Sequence, residues 1–389
     1  GQDWLGEAET DTADRLESDI FREDDGSKPQ SGWRNTADGA PFGEKDLSVQ
    51  SDTAFSYGYS QLSGDEEQLY REILNSLISY QEETELSVKD PEMVERVFRY
   101  VMADHPEIFY ADGYEVTTYR LGTELRRITF TGTWTLESDE VLSRRAQLEA
   151  AAALWLEGLP DGTDDFEKVK YIYDELILRT EYEQGSADSQ TICSVLLNQR
   201  SVCQGYAKTF QYLCQLAGIP AMLVTGDVNG EGHAWNIVFL DGDWYYIDPT
   251  WGDASYQREE GEETPTLTET VNYDYFCVTT QEIERTHSMD DNQLLPVCNA
   301  VQDQYYRHEG LYLQSADKEK IDEIFARAAQ KGAPMVCFQC ADDTVYQEVY
   351  RLLIEEQGIF AYLPESETTA AYLDSDRERT FYFWFTGVS

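Results

Sequence analysis

Only four histidines occur in this chain of 389 residues, and one of them, His233, heads the stretch GHAWNIVFLDGDWYYIDPTW (232–251). The β-branched and aromatic runs on either side of Asp241-Gly242 predict a β-hairpin closed by a two-residue turn. With the turn there, Leu240 faces Asp243 and Phe239 faces Trp244. Continued back along both strands, the same register sets Trp235 against Asp248 and His233 against Thr250. Facing residues share one side of a sheet, so these four project together, and His233 and Asp248 become diagonal neighbours roughly 7–8 Å apart. A carboxylate on one imidazole nitrogen fixes the tautomer, stabilises the imidazolium and leaves the other nitrogen for a nucleophile. The plain alternatives are a surface histidine and a turn aspartate ahead of Pro249.

A nucleophile is available in RSVCQGYAKTFQYLCQLAGIP (200–220). Ser201 with Gln204 three residues on has the capping-box spacing, Gly218-Ile219-Pro220 is a stop signal, and Tyr206, Phe210, Leu213 and Ala217 form one apolar stripe. Cys203 then falls in the first turn, where free amides and the positive end of the helix dipole favour a thiolate. Gly205 leaves room for close approach. The competing reading makes Cys203 a small core residue, like Cys214 further along the helix.

The surrounding elements follow from periodicity. Residues 1–55 are acidic, rich in Gly, Ser, Thr and Asp, and read as an arm or linker, although Trp4, Leu5, Ile20, Phe21 and Trp33 could dock it. Residues 56–160 predict helix, helix, two strands and a helix, an N-terminal α+β region without a gathering of titratable groups. The catalytic candidates lie in 161–295. Residues 300–389 predict a small α/β accessory domain of strand, helix (DKEKIDEIFARAAQ), strand (PMVCFQC), helix (DTVYQEVYRLLIEEQG) and one or two final strands (TFYFWFTG). Cys337 and Cys340 of CFQC fall on opposite faces of their strand, which argues against a shared metal or redox role.

Composition narrows the function. The formal charge of −46 repels phosphate and so argues against nucleic acid and anionic membrane as partners. There is no apolar run of transmembrane length, and seven scattered cysteines do not make a disulfide framework. The chain opens GQDW without a methionine, which reads as a trimmed start.

At this point VCQGYA, GIPAMLVTG, GHAWNIV and WYYIDPTW, in that order, resemble the transglutaminase-like superfamily, with a papain-like Cys-His-Asp core; the lead-in DDFEKVKYIYDELILRTEY fits as well. The likeness covers roughly residues 161–255. It implies an α+β fold in which a helix bearing the cysteine packs on an antiparallel sheet bearing His and Asp. It also implies Cys203 as nucleophile, His233 as general base and then acid, and Asp248 as its orienter. Gln190 is the oxyanion candidate by type, and Tyr206, Trp235 and Trp251 are candidates for a cleft wall, with core packing as their alternative. The implied activity is acyl transfer on protein or peptide amides through a thioester, without a cofactor, with water or an amine as acceptor. DHPEIFYADGY and the C-terminal piece resemble segments of bacterial surface proteins. The expectation is therefore an extracellular, lipid-anchored protein acting on a protein or cell-wall peptide. Two rivals stand beside it: a catalytically silent module gripping a peptide or glycan, and a zinc site on Cys203, His233 and Asp248, which lacks a fourth ligand.

Overall fold

Asp241 (φ 48°) and Gly242 (φ 96°) both occupy the left-handed region, as a two-residue turn matched to strand twist requires. The turn fixes the pairs Leu240–Asp243, Phe239–Trp244, Val238–Tyr245, Ile237–Tyr246 and Asn236–Ile247 between strands Glu231–Leu240 and Asp243–Ile247. Ladder pairing ends there. Pro249 has no N–H to donate and starts a short helix, Pro249–Gly252, with Asp248 as its cap: Asp248 Oδ1 accepts from the amides of Thr250 (2.9 Å) and Trp251 (3.1 Å). The expected pairs Trp235–Asp248 and His233–Thr250 are thus not formed. His233 instead pairs on its other side with Gly226 of strand Ala221–Val228.

These strands belong to a four-stranded antiparallel sheet. Its order is Asp243–Ile247, Glu231–Leu240, Ala221–Val228, then the three-residue strand His287–Met289. The helix Cys203–Leu216 lies against it. Tyr206, Phe210 and Leu213 are buried as the stripe predicts, and the helix ends at Gly218 (φ 80°), with Ile219 N–H donating to the Cys214 carbonyl. Its start differs from expectation. The residue before the first turn is Val202, which makes no side-chain cap. Ser201 lies in a two-residue strand beside Glu181–Tyr182, and its hydroxyl bonds the Ser189 carbonyl and Ser194 Oγ.

The computed structural model describes residues 56–159, 162–253, 271–291, 293–363 and 371–384; the arm expected over 1–55 lies outside them. Upstream of the helix come Asp65–Ser79, Pro91–Asp104, the hairpin Ala111–Leu121/Glu124–Trp134 and helix Ser138–Leu156, the order the periodicity predicts. Gln211 and Gln215 donate from the cysteine helix to the carbonyls of Ala103 and Asp104. Downstream is a second sheet, ordered Tyr312–Leu313, Met335–Cys340, Thr380–Trp384, Ala371–Ser375. Asp274 fastens it to the first, accepting from Tyr306, Tyr382 and Thr380 hydroxyls. Cys337 and Cys340 lie in separate apolar clusters, as the strand alternation predicts.

Candidate active site

Asn236 locks the helix to the sheet: its buried Nδ2 donates to the carbonyls of Ala207 (3.0 Å) on the helix and Met222 (3.3 Å) on the next strand. This brings Cys203, the first residue of the helix, against Ala207, Leu223 and Ala234. All seven cysteines are free, and Cys203 alone among them is not buried.

His233 is 7% exposed and Asp248 fully buried. His233 Nε2 lies 2.8 Å from Asp248 Oδ2, and Cys203 packs against Ala234, the next residue along the strand. Burial alone would push the His233 pKa down. The Asp248 charge and hydrogen bond, and then Cys203, outweigh it and push the value up to about 10. Burial works against the Asp248 carboxylate as well, but the charges and N–H groups of His233 and then His287 hold it well below the usual carboxylate range. The pair is therefore imidazolium and carboxylate at neutral pH. The Asp248 backbone is held too, because the Tyr173 hydroxyl reaches its carbonyl (3.2 Å) across Gly252, where any Cβ would strike that hydroxyl.

His287 carries no motif and sequence reasoning passes it by. Its Nε2 is 3.0 Å from the same Asp248 Oδ2, so two of the chain's four histidines converge on one oxygen. Asn236 is likewise a positioning residue that its place inside GHAWNIV leaves unmarked.

The other expected site residues divide. Trp251 is half-buried, with its ring edge-on to Tyr275 and 6.5 Å from His233. Tyr206 and Trp235 are 0% exposed and form no cleft wall. Tyr206 spends its hydroxyl on the Thr180 carbonyl and Asp253. Trp235 lies in an apolar cluster with Tyr275 and Val278. Gln190 is exposed beside the helix, and it is its backbone carbonyl that accepts from Lys208 Nζ (3.0 Å).

A helix that begins on Cys203 thus packs on an antiparallel sheet that carries His233, and Asp248 meets that histidine from the cap of the short helix following the sheet. Residues 156–249 match the family model of the transglutaminase-like superfamily, a superfamily that includes cysteine peptidases and acyltransferases. Among curated relatives, kyphoscoliosis peptidase of Homo sapiens is 34% identical over 113 residues, covering 25% of this chain and 17% of the human protein. Its Mus musculus counterpart is 32% identical over 113 residues with the same coverage. The chain thus spans under a fifth of the length of either relative. Similar solved structures include one described as a TGase (TM-score 0.27, 15% identity, 40% of this chain and 49% of that one). Another is the periplasmic domain of TgpA from Pseudomonas aeruginosa (TM-score 0.22, 15% identity, 37% and 73%).

Proposed function

We propose that this protein carries out thiol-dependent acyl transfer on protein or peptide amides. The observation that carries the reading is the buried His233–Asp248 pair, 2.8 Å apart, beside the cysteine that begins the helix packed on the same sheet. The Cys203 sulfur, its proton taken by His233, adds to an amide carbonyl. His233 gives its proton to the nitrogen as the C–N bond breaks, leaving a thioester and a free amine or ammonia. Water or an incoming amine then attacks the thioester and passes a proton to His233, which restores the imidazolium as the acyl product and the Cys203 thiolate are released. Cys203 N–H, in the first turn and without an intrahelical acceptor, is placed to receive the oxyanion. Trp251, with its ring toward the imidazole, borders the approach. The substrate class is a protein or peptide, and a cell-surface setting is part of the reading, supported by the acidic first 55 residues alone.

Iodoacetamide tests the first step. Burial protects six of the cysteines, so modification should fall on Cys203 and vanish in Cys203→Ala. Exposure alone could give that result, so the deciding variant is His233→Ala. It should slow alkylation by about tenfold or more if the imidazole activates the sulfur, and an unchanged rate sinks the proposal. Incubation with a glutamine peptide and a labelled primary amine then separates the acceptors. Amine incorporation marks cross-linking, while ammonia release or cleavage marks hydrolysis.

A further inference from the structure

His287 is buried behind the site, and both its ring nitrogens are engaged. Nε2 faces Asp248 Oδ2 at 3.0 Å and Nδ1 faces Thr286 Oγ1 at 2.7 Å. The bonds continue from Thr286 to the Tyr275 hydroxyl (3.1 Å) and from Tyr275 to Glu378 Oε1 (2.6 Å). Glu378 sits in the turn between strands Ala371–Ser375 and Thr380–Trp384. An unbroken chain therefore joins the C-terminal sheet to the carboxylate that orients His233.

The middle links are hydroxyls with one proton each, so the direction of one bond fixes the next. Glu378 meets a hydroxyl at each oxygen, Tyr275 on Oε1 and Ser375 on Oε2. Tyr275 spends its proton on it; burial, and then the Glu378 charge, hold that proton by pushing the tyrosine pKa well up. Thr286 can then donate to the Tyr275 oxygen at 3.1 Å or to the Ile283 carbonyl at 3.4 Å, and with its proton on either one only a proton on Nδ1 can fill the contact with His287. At the other end Asp248 Oδ1 is taken by two amides and Oδ2 by both imidazoles, so Nε2 carries a proton as well. Were Thr286 to donate to a bare Nδ1 instead, its oxygen and that of Tyr275 would stand 3.1 Å apart with no proton between them. Only a proton taken up by Glu378 and passed back along the chain would repair this.

We propose that this hydrogen-bond chain holds His287 as an imidazolium, and that the C-terminal domain, through Glu378 and Tyr275, sets the charge behind Asp248. A second cation on Oδ2 shares the carboxylate's charge, so His233 releases its proton more readily than it would against Asp248 alone. This effect on His233 rests on the acyl-transfer reading; the proton count does not. The groups facing His287 are Asp248 and His233, the rings of Trp235 (4.9 Å), Trp251 (5.1 Å) and Tyr275 (5.3 Å), and Thr286. Beyond Tyr275, Glu378 shares a small gap with Asp274, Glu282 and Arg285. It also lines a polar cavity of about 250 Å³ with Arg307 and Arg379. Solution conditions can therefore reach this end of the chain while His287 stays buried.

With four histidines in the whole chain, ¹⁵N imidazole spectra can be assigned by single His→Gln variants. The wild type at pH 7.5 should show both His287 nitrogens protonated, and so should Cys203→Ala, which makes the result independent of turnover. Tyr275→Phe keeps the ring but frees the Thr286 proton for Nδ1. His287 should then show one bare nitrogen, and the His233 titration should move up by about one pH unit. Thr286→Val, which removes the acceptor facing Nδ1, should have the same effect on His287 if Tyr275→Phe does not fold. A bare Nδ1 in the wild type, or an unchanged His287 in a folded variant, overturns the proposal. So does Zn²⁺ raising the melting temperature of the wild type but not of His287→Gln. That would make His233, Asp248 and His287, whose ligand atoms lie within 4.8 Å of one another, a metal cluster.

Discussion

Among the side chains of the site, His233 is the one whose charge depends most on its neighbours. Its pKa in the folded chain is about 10, against roughly 6.5 for a free imidazole. The stability it contributes is therefore fully present below about pH 6.5 and lost as pH rises through about 10. Asp248 works in the opposite sense. Its depressed value makes its contribution present above the ordinary carboxylate range and lost as the medium becomes strongly acidic. His233→Leu should cost about 3 kcal/mol at pH 7, because it leaves a buried carboxylate with only one imidazole. That gap should close above pH 10, where the wild type loses the same proton. Urea midpoints of both proteins at pH 7 and 10.5 measure it, and tyrosine and lysine titrations common to the two cancel. A gap that stays constant would mean the loss is one of packing. Cys203, His233 and Asp248 were legible because each sits in a motif whose local structure is strongly determined. His287 was not, since it reaches Asp248 from 39 residues away on a strand of three, too short to leave a periodic signal.

At the scale of elements, two glycines set how closely the parts of the site can approach. A Cβ on Gly226 would lie 2.0 Å from the Ser288 carbonyl oxygen and 2.8 Å from the Trp235 ring. Gly226 pairs with Met289, so the strand carrying His287 can join the sheet only with glycine opposite it. Gly226→Ala should destabilise the protein by about 2 kcal/mol and weaken the His287–Asp248 contact. Gly232→Ala, where the new methyl meets nothing within 4 Å, should stay within about 0.5 kcal/mol of wild type. Thermal unfolding of the pair, with the His287 imidazole signals as local readout, decides it; two equal melting temperatures would refute the packing argument. The hairpin register could be read from Asp241-Gly242 because a two-residue turn admits one pairing. Its end could not, because Pro249 breaks the ladder and turns Asp248 into a helix cap. Ser201 had the right spacing for a cap, but it was drawn into strand pairing and a serine cluster. That cluster leaves no room at Gly205, where a Cβ would stand 1.9 Å from Ser201 Oγ. Local patterns gave the elements, and the misreadings came where a second segment competed for the same group.

For the whole molecule, the excess of 75 acidic over 29 basic residues is visible from composition, but not which carboxylates are buried at the joints. Asp274 is one of these. It ties the C-terminal sheet to the rest through the Tyr306, Tyr382 and Thr380 hydroxyls. Burial raises its pKa to about 6 even though those hydroxyls pull the other way. A raised carboxyl is proton-bound in the folded chain where the unfolded chain has already ionised. The stability it contributes is full below about pH 4, the unfolded value, and lost as pH rises through about 6. Asp274→Asn keeps an oxygen for the two tyrosines, offers an amide to Thr380, and removes the buried charge. The variant should therefore be more stable than wild type at pH 7.5 by on the order of 2 kcal/mol, with the difference shrinking towards zero by pH 4. Relief of surface repulsion on acidification affects both proteins alike and drops out of the comparison. Asp274→Ala should instead lose stability at pH 7.5 and at pH 4 alike, because it removes the carboxyl partner of the buried Tyr306 and Thr380 hydroxyls and leaves Tyr382 with Asn272 Oδ1. If Asp274→Asn is less stable than wild type at pH 7.5, the ionised carboxylate is holding the two sheets together, and the sign assigned to Asp274 is wrong.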